Sequence, residues 1–177
     1  IGDPESFLFY PLHWVFFFSQ PAPWFGVIVM LHLLMAGLFM YLYLRQIGNS
    51  KWASLTGGII FAINAKIIGA VFAGHITFLP VVFAPLVMYL GERLIVERHW
   101  KFGILLGLVL GLQAVGIHAQ LLIYLAGFYF AYFVFRLAAR FRKEKDYFSW
   151  NNIFRLGVIG LSALAITAAI VLPYILP

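Results

Sequence analysis

Long apolar runs alternate with short polar connections along most of this chain. A helix that crosses a bilayer needs about 20 mainly apolar residues, and six runs reach or approach this length. They cover residues 24–44, 52–73, 78–95, 102–116, 119–137 and 153–172. The fourth and fifth runs are separated only by a short turn that contains His118, which indicates a tight helical hairpin. The pattern therefore predicts an all-α, polytopic membrane fold with about six transmembrane helices.

A shorter aromatic segment, residues 7–18, precedes these runs. It is too short to cross a bilayer, and its aromatic side chains are typical of a segment that lies at the membrane interface. The chain shows no internal repeat and no second domain. We therefore expect residues 1–23 to form the end of an extracytoplasmic loop with this interfacial segment, and residues 24–177 to form a transmembrane helical domain.

Composition supports the membrane class. Hydrophobic residues make up 64% of the chain and charged residues only 10%, against about 25% charged residues in an ordinary soluble domain. The first residue is Ile1 rather than methionine, and no signal segment precedes the apolar runs, so we expect an internal piece of a longer chain. Because the sequence contains no cysteine, disulfides and cysteine-ligated metals are excluded within it.

Lysine and arginine residues are distributed unequally between the two sides that six alternating spans would create. All of them except Lys66 fall on one side, in the connections after the first, third and fifth runs and at their edges. Cytoplasmic loops carry the excess of these residues, so we expect a multi-pass protein of the bacterial inner membrane with this side in the cytoplasm. The basic run near residue 143 is interpreted as a solvated loop close to anionic lipid, and no nucleic-acid partner is expected.

Lys66 is the exception, since it interrupts the second apolar run. At about 1.5 Å per residue it is predicted to lie some 21 Å up a hydrocarbon core about 30 Å thick. Small residues beside it, such as Gly69 and Ala70, predict that this helix face packs against protein. A lysine there needs an anionic partner or water, or else its long stem lets it snorkel to the outer interface.

Other candidate site residues fall on the side that lacks basic residues. They are Asp3, Glu5, His75, His118 and Gln120. Carboxylates act as general bases or metal ligands, histidines as acid–base groups and a lysine as a phosphate ligand, so the set suits a phosphorylated or polyhydroxylated substrate. The alternatives are solvated loop carboxylates, histidines that cap helices, and a glutamine that joins helices.

Two further polar residues lie within the apolar runs. Gln113 is interpreted mainly as a side chain that hydrogen-bonds another helix, and His32 likewise as a hydrogen-bond partner of a neighbouring helix. Neither is predicted as a site residue.

The order and spacing of six sequence blocks carry a family resemblance. The blocks are DPES-x-x-FYP, LHLLMAGLFMYLYLR, WASLTGGIIFA, AGH, LPVVFAPLVMYLGERL and GLQAVGIHAQLLIY. This series resembles the bacterial YfhO-like multi-pass membrane proteins, which are similar in architecture to glycosyltransferases of the GT-C type. The resemblance covers most of the chain up to about residue 135.

The resemblance implies transfer of a sugar from a polyprenyl-phosphate donor to an envelope acceptor on the non-cytoplasmic face. Asp3 and His75 would then be catalytic, and Lys66, His118, Glu5 and Gln120 would bind substrate. No cofactor is implied for certain; a divalent metal ion is the one that this enzyme type admits. The resemblance also implies that a first span and most of an acidic loop, with the main catalytic carboxylate, lie upstream of Ile1.

Two alternatives from other functional classes stay open. In the first alternative to a glycosyltransferase, the chain is a non-catalytic structural or accessory subunit of a larger membrane complex. In the second, it is a flippase-like transporter of lipid-linked sugars. An outer-half lysine would face a cavity in a transporter. Against that class, the sequence shows no internal repeat and no corresponding pair of interrupted helices.

Overall fold

The computed structural model describes residues 10–18, 21–73, 75–143 and 149–175, and these ranges contain helices and turns but no strand. A 3₁₀ turn at Pro11–His13 and helix α1 (Val15–Phe18) precede α2 (Pro21–Gln46). Helices α3 (Lys51–Ala62) and α4 (Ala65–Phe72) follow, and a 3₁₀ segment (Ile76–Phe83) leads into α5 (Ala84–Glu97). The described chain ends with α6 (Trp100–Gly116), α7 (Ala119–Lys143) and α8 (Trp150–Ile175). The predicted all-α fold is confirmed.

Five described segments are long and apolar enough to cross a membrane. They are Trp24–Gln46, Lys51–Phe72, Thr77–Glu97, Ala119–Arg140 and Trp150–Pro173. Helix α6 is shorter, since its 17 residues extend about 26 Å against a hydrocarbon core of about 30 Å. The predicted number of spans, about six, is therefore corrected to five long segments and one shorter apolar helix.

The second span is interrupted, which the prediction of one continuous apolar run missed. Helix α3 ends at Ala62, and Asn64 caps α4 by accepting a hydrogen bond from the Lys66 N–H at 2.8 Å. An asparagine side chain competes with the helical ladder in this way, so the chain restarts rather than continues. The third span likewise begins as the 3₁₀ segment that contains Pro80, before α5 starts.

Small residues bring two pairs of helices close together. A Cβ atom added to Gly58 of α3 would lie 2.7 Å from the Gly37 carbonyl oxygen of α2. On α6, three glycines at four-residue spacing face Ile159, Ala163 and Ile170 of α8; they are Gly103, Gly107 and Gly111. Such contacts let helix backbones approach closely within a membrane. Helix α5 lies at the centre and packs against α2, α6 and the 3₁₀ segment.

Helix α7 makes few close backbone contacts with the other helices. Only Ile117 and His118 connect it to α6, yet an apolar groove of about 620 Å³ lies between α5, α6, α7 and α8. The predicted tight hairpin is therefore correct for the connection and wrong for the helices, which do not pack along their length. Side chains, rather than backbone contacts, hold α7 to the bundle.

Exposed tryptophans mark both ends of the helices. Trp52, Trp100 and Trp150 lie at the first turns of α3, α6 and α8, at the end where most arginines and lysines are found, which we call the basic end. Trp14 and Trp24 lie near the start of α2, at the opposite end. Tryptophan is enriched at the two membrane–water interfaces, so this arrangement fits helices that contact a lipid bilayer.

Candidate functional site

A cleft of about 770 Å³ opens between α4 and the first turns of α7, at the end of the helices opposite the basic end. It brings together four residues that the sequence identifies as candidates: Lys66, His75, His118 and Gln120. The other two candidates, Asp3 and Glu5, lie outside the described residues. The cleft thus unites residues from three separate parts of the chain.

Helix α4 supplies the cationic wall of the cleft. Lys66 is its second residue, is exposed, and makes no side-chain hydrogen bond or ion pair with another described residue. At Gly69 the predicted packing against another helix is wrong, because a Cβ atom added there would have no atom within 4 Å. Gly69 and Ala70 line the cleft instead and leave the space in front of the lysine open.

Helix α7 supplies a polar and aromatic wall. His118 caps this helix, since its Nδ1 accepts a hydrogen bond from the Gln120 N–H at 3.3 Å. An accepting Nδ1 places the proton of the neutral imidazole on Nε2. The Gln120 Nε2 donates to the Tyr124 hydroxyl at 2.9 Å, which orients the amide along the aromatic ring. His118 therefore acts as a helix cap, and its exposed ring also borders the cleft.

The floor of the cleft comes from the turn after α4 and the start of the 3₁₀ segment. The His75 N–H donates to the Ala70 carbonyl at 2.9 Å, which fixes the turn against α4. The exposed His75 ring lies 6.4 Å from the Phe78 ring, measured between centroids, and Thr77 and Phe78 complete the floor. His75 and Lys66 thus border the same cavity.

A buried polar cluster lies near the basic end, and the sequence did not predict it. Glu92 of α5 is 2% exposed and accepts hydrogen bonds from Arg136 Nε at 2.5 Å, Arg136 Nη2 at 2.7 Å and the Tyr132 hydroxyl at 2.7 Å. The Tyr43 hydroxyl of α2 donates to Tyr132 at 2.9 Å. The sequence places Arg136 in a basic connection, whereas it lies within the span Ala119–Arg140 and pairs with Glu92. A lone glutamate inside an apolar run was the available signal.

Two buried polar side chains join elements, as their residue types suggest. Gln113 of α6 is fully buried, donates from Nε2 to the Pro80 carbonyl and accepts at Oε1 from the Tyr129 hydroxyl, both at 3.0 Å. Its predicted role in joining helices is confirmed. His32 hydrogen-bonds Tyr10, which precedes α1, at 2.6 Å, so the prediction of a partner on a neighbouring helix is corrected.

The cleft combines one ammonium group, two imidazoles, an amide and a phenol. These groups donate hydrogen bonds and positive charge, which suits an anionic oxygen together with sugar hydroxyls. Carboxylates are absent from the described lining, and the described residues contain no group of three or more histidine, cysteine, aspartate or glutamate residues that would hold a metal ion. The described part of the cleft is therefore equipped for binding.

Comparison with family models, with curated proteins and with solved structures finds no match for this chain.

Proposed function

We propose that this chain forms part of a membrane glycosyltransferase that uses a polyprenyl-phosphate-linked sugar on the extracytoplasmic face of the bacterial inner membrane. The observation that supports this proposal best is the convergence of Lys66, His75, His118 and Gln120 on one cleft away from the basic end. Helices that border the cleft are apolar enough to lie in lipid, so an amphiphilic donor can present its phosphate there without leaving the bilayer.

Lys66 would bind the carrier phosphate. Its ammonium group acts as a point charge, and its attraction to phosphate is stronger near a low-dielectric membrane than in water. Because no described residue pairs with Lys66, no protein ion pair within the described chain has to break before phosphate binds.

The remaining groups have roles that follow from their positions. His75 would stabilise the phosphate or the departing oxygen, and Gln120 with Tyr124 would hydrogen-bond the sugar from the opposite wall. His118 would donate from Nε2, since its Nδ1 caps α7. Asp3 is proposed as a catalytic residue and Glu5 as a substrate ligand on the basis of sequence alone.

A transport function is the second candidate, and the interrupted second span favours it. Broken helices border substrate sites in many transporters, and the break at Asn64 lies next to Lys66. In that case the same cleft would bind the lipid-linked sugar during passage across the bilayer.

A single experiment separates these functions. The full-length protein is reconstituted into vesicles with radiolabelled polyprenyl-phosphate sugar and an envelope extract that supplies acceptors. Release of the sugar from the carrier, by transfer to an acceptor or to water, and movement of intact donor between leaflets are both measured. Release supports the glycosyltransferase, whereas movement without release supports the transporter. Vesicles that show neither activity and no donor binding would contradict both and favour an accessory subunit.

A further inference from the structure

The Gln113 amide joins two elements that carry cleft residues. Its Nε2 donates a hydrogen bond to the Pro80 carbonyl, and its Oε1 accepts one from the Tyr129 hydroxyl. Pro80 belongs to the 3₁₀ segment that provides Thr77 and Phe78 to the cleft floor. Tyr129 lies on α7, about 7.5 Å along the helix axis from Tyr124 of the cleft wall.

The other contacts that α7 makes between its two ends are mainly apolar, since Leu125, Tyr129 and Phe133 pack against the core formed by α5 and α6. Helix α7 has few close backbone contacts, and the groove of about 620 Å³ separates it from α8 on the side away from the cleft. The clamp formed by Glu92 and Arg136 lies near the basic end, with Gln120 about 24 Å further along α7. Between that clamp and the cleft, the Tyr129–Gln113 hydrogen bond is the polar contact that ties α7 to α6 among the described residues.

Burial makes the two hydrogen bonds of Gln113 difficult to replace with bonds to water. Gln113 is fully buried within the bundle, and Pro80 is buried as well. A carbonyl or hydroxyl that loses its partner in such an apolar environment cannot turn to water, so the geometry with both bonds intact is strongly favoured. A single side chain therefore couples the floor of the cleft to its α7 wall.

We propose that Gln113 is a positioning residue that sets the separation between the α4 wall and the α7 wall of the cleft. Its amide holds α7 through Tyr129 and the floor through Pro80, and so places Gln120 and His118 opposite Lys66. This inference deepens the proposed function and rests on it only for the identity of the ligand, since the separation is a property of the unliganded protein.

Distance measurement by pulsed electron paramagnetic resonance tests the proposal. The sequence contains no cysteine, so Ala70→Cys and Leu121→Cys introduce two spin labels, one on each wall, without further labelled sites within the chain. We expect a narrow distance distribution in the otherwise unchanged protein in nanodiscs. Gln113→Leu, which removes both hydrogen bonds at similar volume, should broaden the distribution and shift it to longer separation.

Two further variants keep the proposal falsifiable. Tyr129→Phe removes only the α7 hydrogen bond and should produce a smaller shift, and it replaces Gln113→Leu as the deciding variant if the latter does not insert. Thr167→Val is the matched control, because Thr167 donates to the Gly107 carbonyl at 3.1 Å between α8 and α6, away from the cleft. Distributions for Gln113→Leu and Tyr129→Phe that match the control would overturn the proposal.

The test of the positioning role and the test of the proposed function can fail independently of each other. An altered separation in Gln113→Leu, combined with no binding of polyprenyl phosphate by the native protein, would leave the positioning role standing and refute the ligand. An unaltered separation in Gln113→Leu, combined with normal binding of polyprenyl phosphate by the native protein, would refute the positioning role and support the ligand.

Discussion

Lys66 lies at the start of α4 because Asn64 ends one helical ladder and caps the next. The cap places the lysine in the first turn of a short helix, and the neighbouring Gly69 leaves room in front of it. The sequence identifies this residue from its isolation within an apolar run. The open space around it was not predictable, because small residues beside a lysine are equally compatible with close helix packing.

Replacing Lys66 by methionine should weaken binding of polyprenyl phosphate about 10- to 100-fold, as expected for the loss of one charge-assisted contact. Methionine keeps the length of the side chain and removes only the charge. Binding is measured in vesicles by titration with the lipid phosphate. Lys101→Met is the matched control, since Lys101 lies at the basic end with its amine 4.9 Å from the Phe102 ring centroid. Equal affinities of the two variants would exclude Lys66 from the site.

We predict that the attachment of residues 10–18 to the helix bundle depends on pH through His13. Burial, followed by the neighbouring His32, lowers the pKa of the His13 imidazole to about 4. The detached segment would bind a proton near the usual pKa of about 6.5, so attachment is fully stable above that pH and is lost as the pH falls towards 4. Among the described residues, the rings of Tyr10 and Phe16 also lie against His13.

A spin label at Phe17→Cys reports this attachment, because the Phe17 side chain is exposed. We expect label mobility to increase as the pH is lowered from about 7 to about 4.5, across the window between the two pKa values. His13→Phe, which keeps a ring but does not titrate, should remove most of this change. Identical pH profiles for the two proteins would rule out His13 as the responsible group.

At the scale of helices, glycines on α6 determine how closely α8 packs. An added Cβ atom at Gly107 would lie 2.6 Å from the Ala163 carbonyl oxygen, whereas one at Gly157 has no atom within 4 Å. The four-residue spacing of these glycines is visible in the sequence. Their partner helix is not, because the periodic pattern of α8 does not show which neighbour it faces.

Gly107→Ala should destabilise the protein by about 1–3 kcal/mol, because the two backbones must separate. Gly157→Ala, the same chemical change on α8, should be neutral or stabilising by up to about 1 kcal/mol through helix propensity. Reversible unfolding in mixed micelles, followed by circular dichroism, measures both. Stabilisation by Gly107→Ala would show that α6 and α8 do not make this contact.

The clamp between α5 and α7 gives a second prediction at this scale. Glu92→Gln weakens both hydrogen bonds from Arg136, whose side chain is 32% exposed, and should reduce the free energy of unfolding by about 2–3 kcal/mol. Glu97→Gln provides the control, because Glu97 pairs with Arg93 at the surface and such pairs contribute less than about 1 kcal/mol. The same unfolding assay applies, and equal losses would contradict a buried clamp.

At the scale of the whole molecule, hydropathy predicts the all-α membrane fold and charge predicts which helix ends lie together. Both signals are sums over many residues, so a local irregularity such as the break at Asn64 does not disturb them. The convergence of Lys66, His75, His118 and Gln120 depends instead on where α7 diverges from α6. The position of α7 is set by side-chain contacts between distant segments, such as Tyr129 with Gln113 and Arg136 with Glu92, which sequence periodicity does not contain.

Photo-crosslinking tests the central claim that the cleft between α4 and α7 is the lipid-phosphate site. A polyprenyl-phosphate sugar with a diazirine beside the phosphate is bound to the native protein in nanodiscs, irradiated, and its adducts are mapped by mass spectrometry. We predict adducts on the α4 residues around Lys66 and on the first turns of α7, suppressed by excess unlabelled donor. Adducts confined to the lipid-facing surface of α8, or adducts that excess donor does not suppress, would contradict the account.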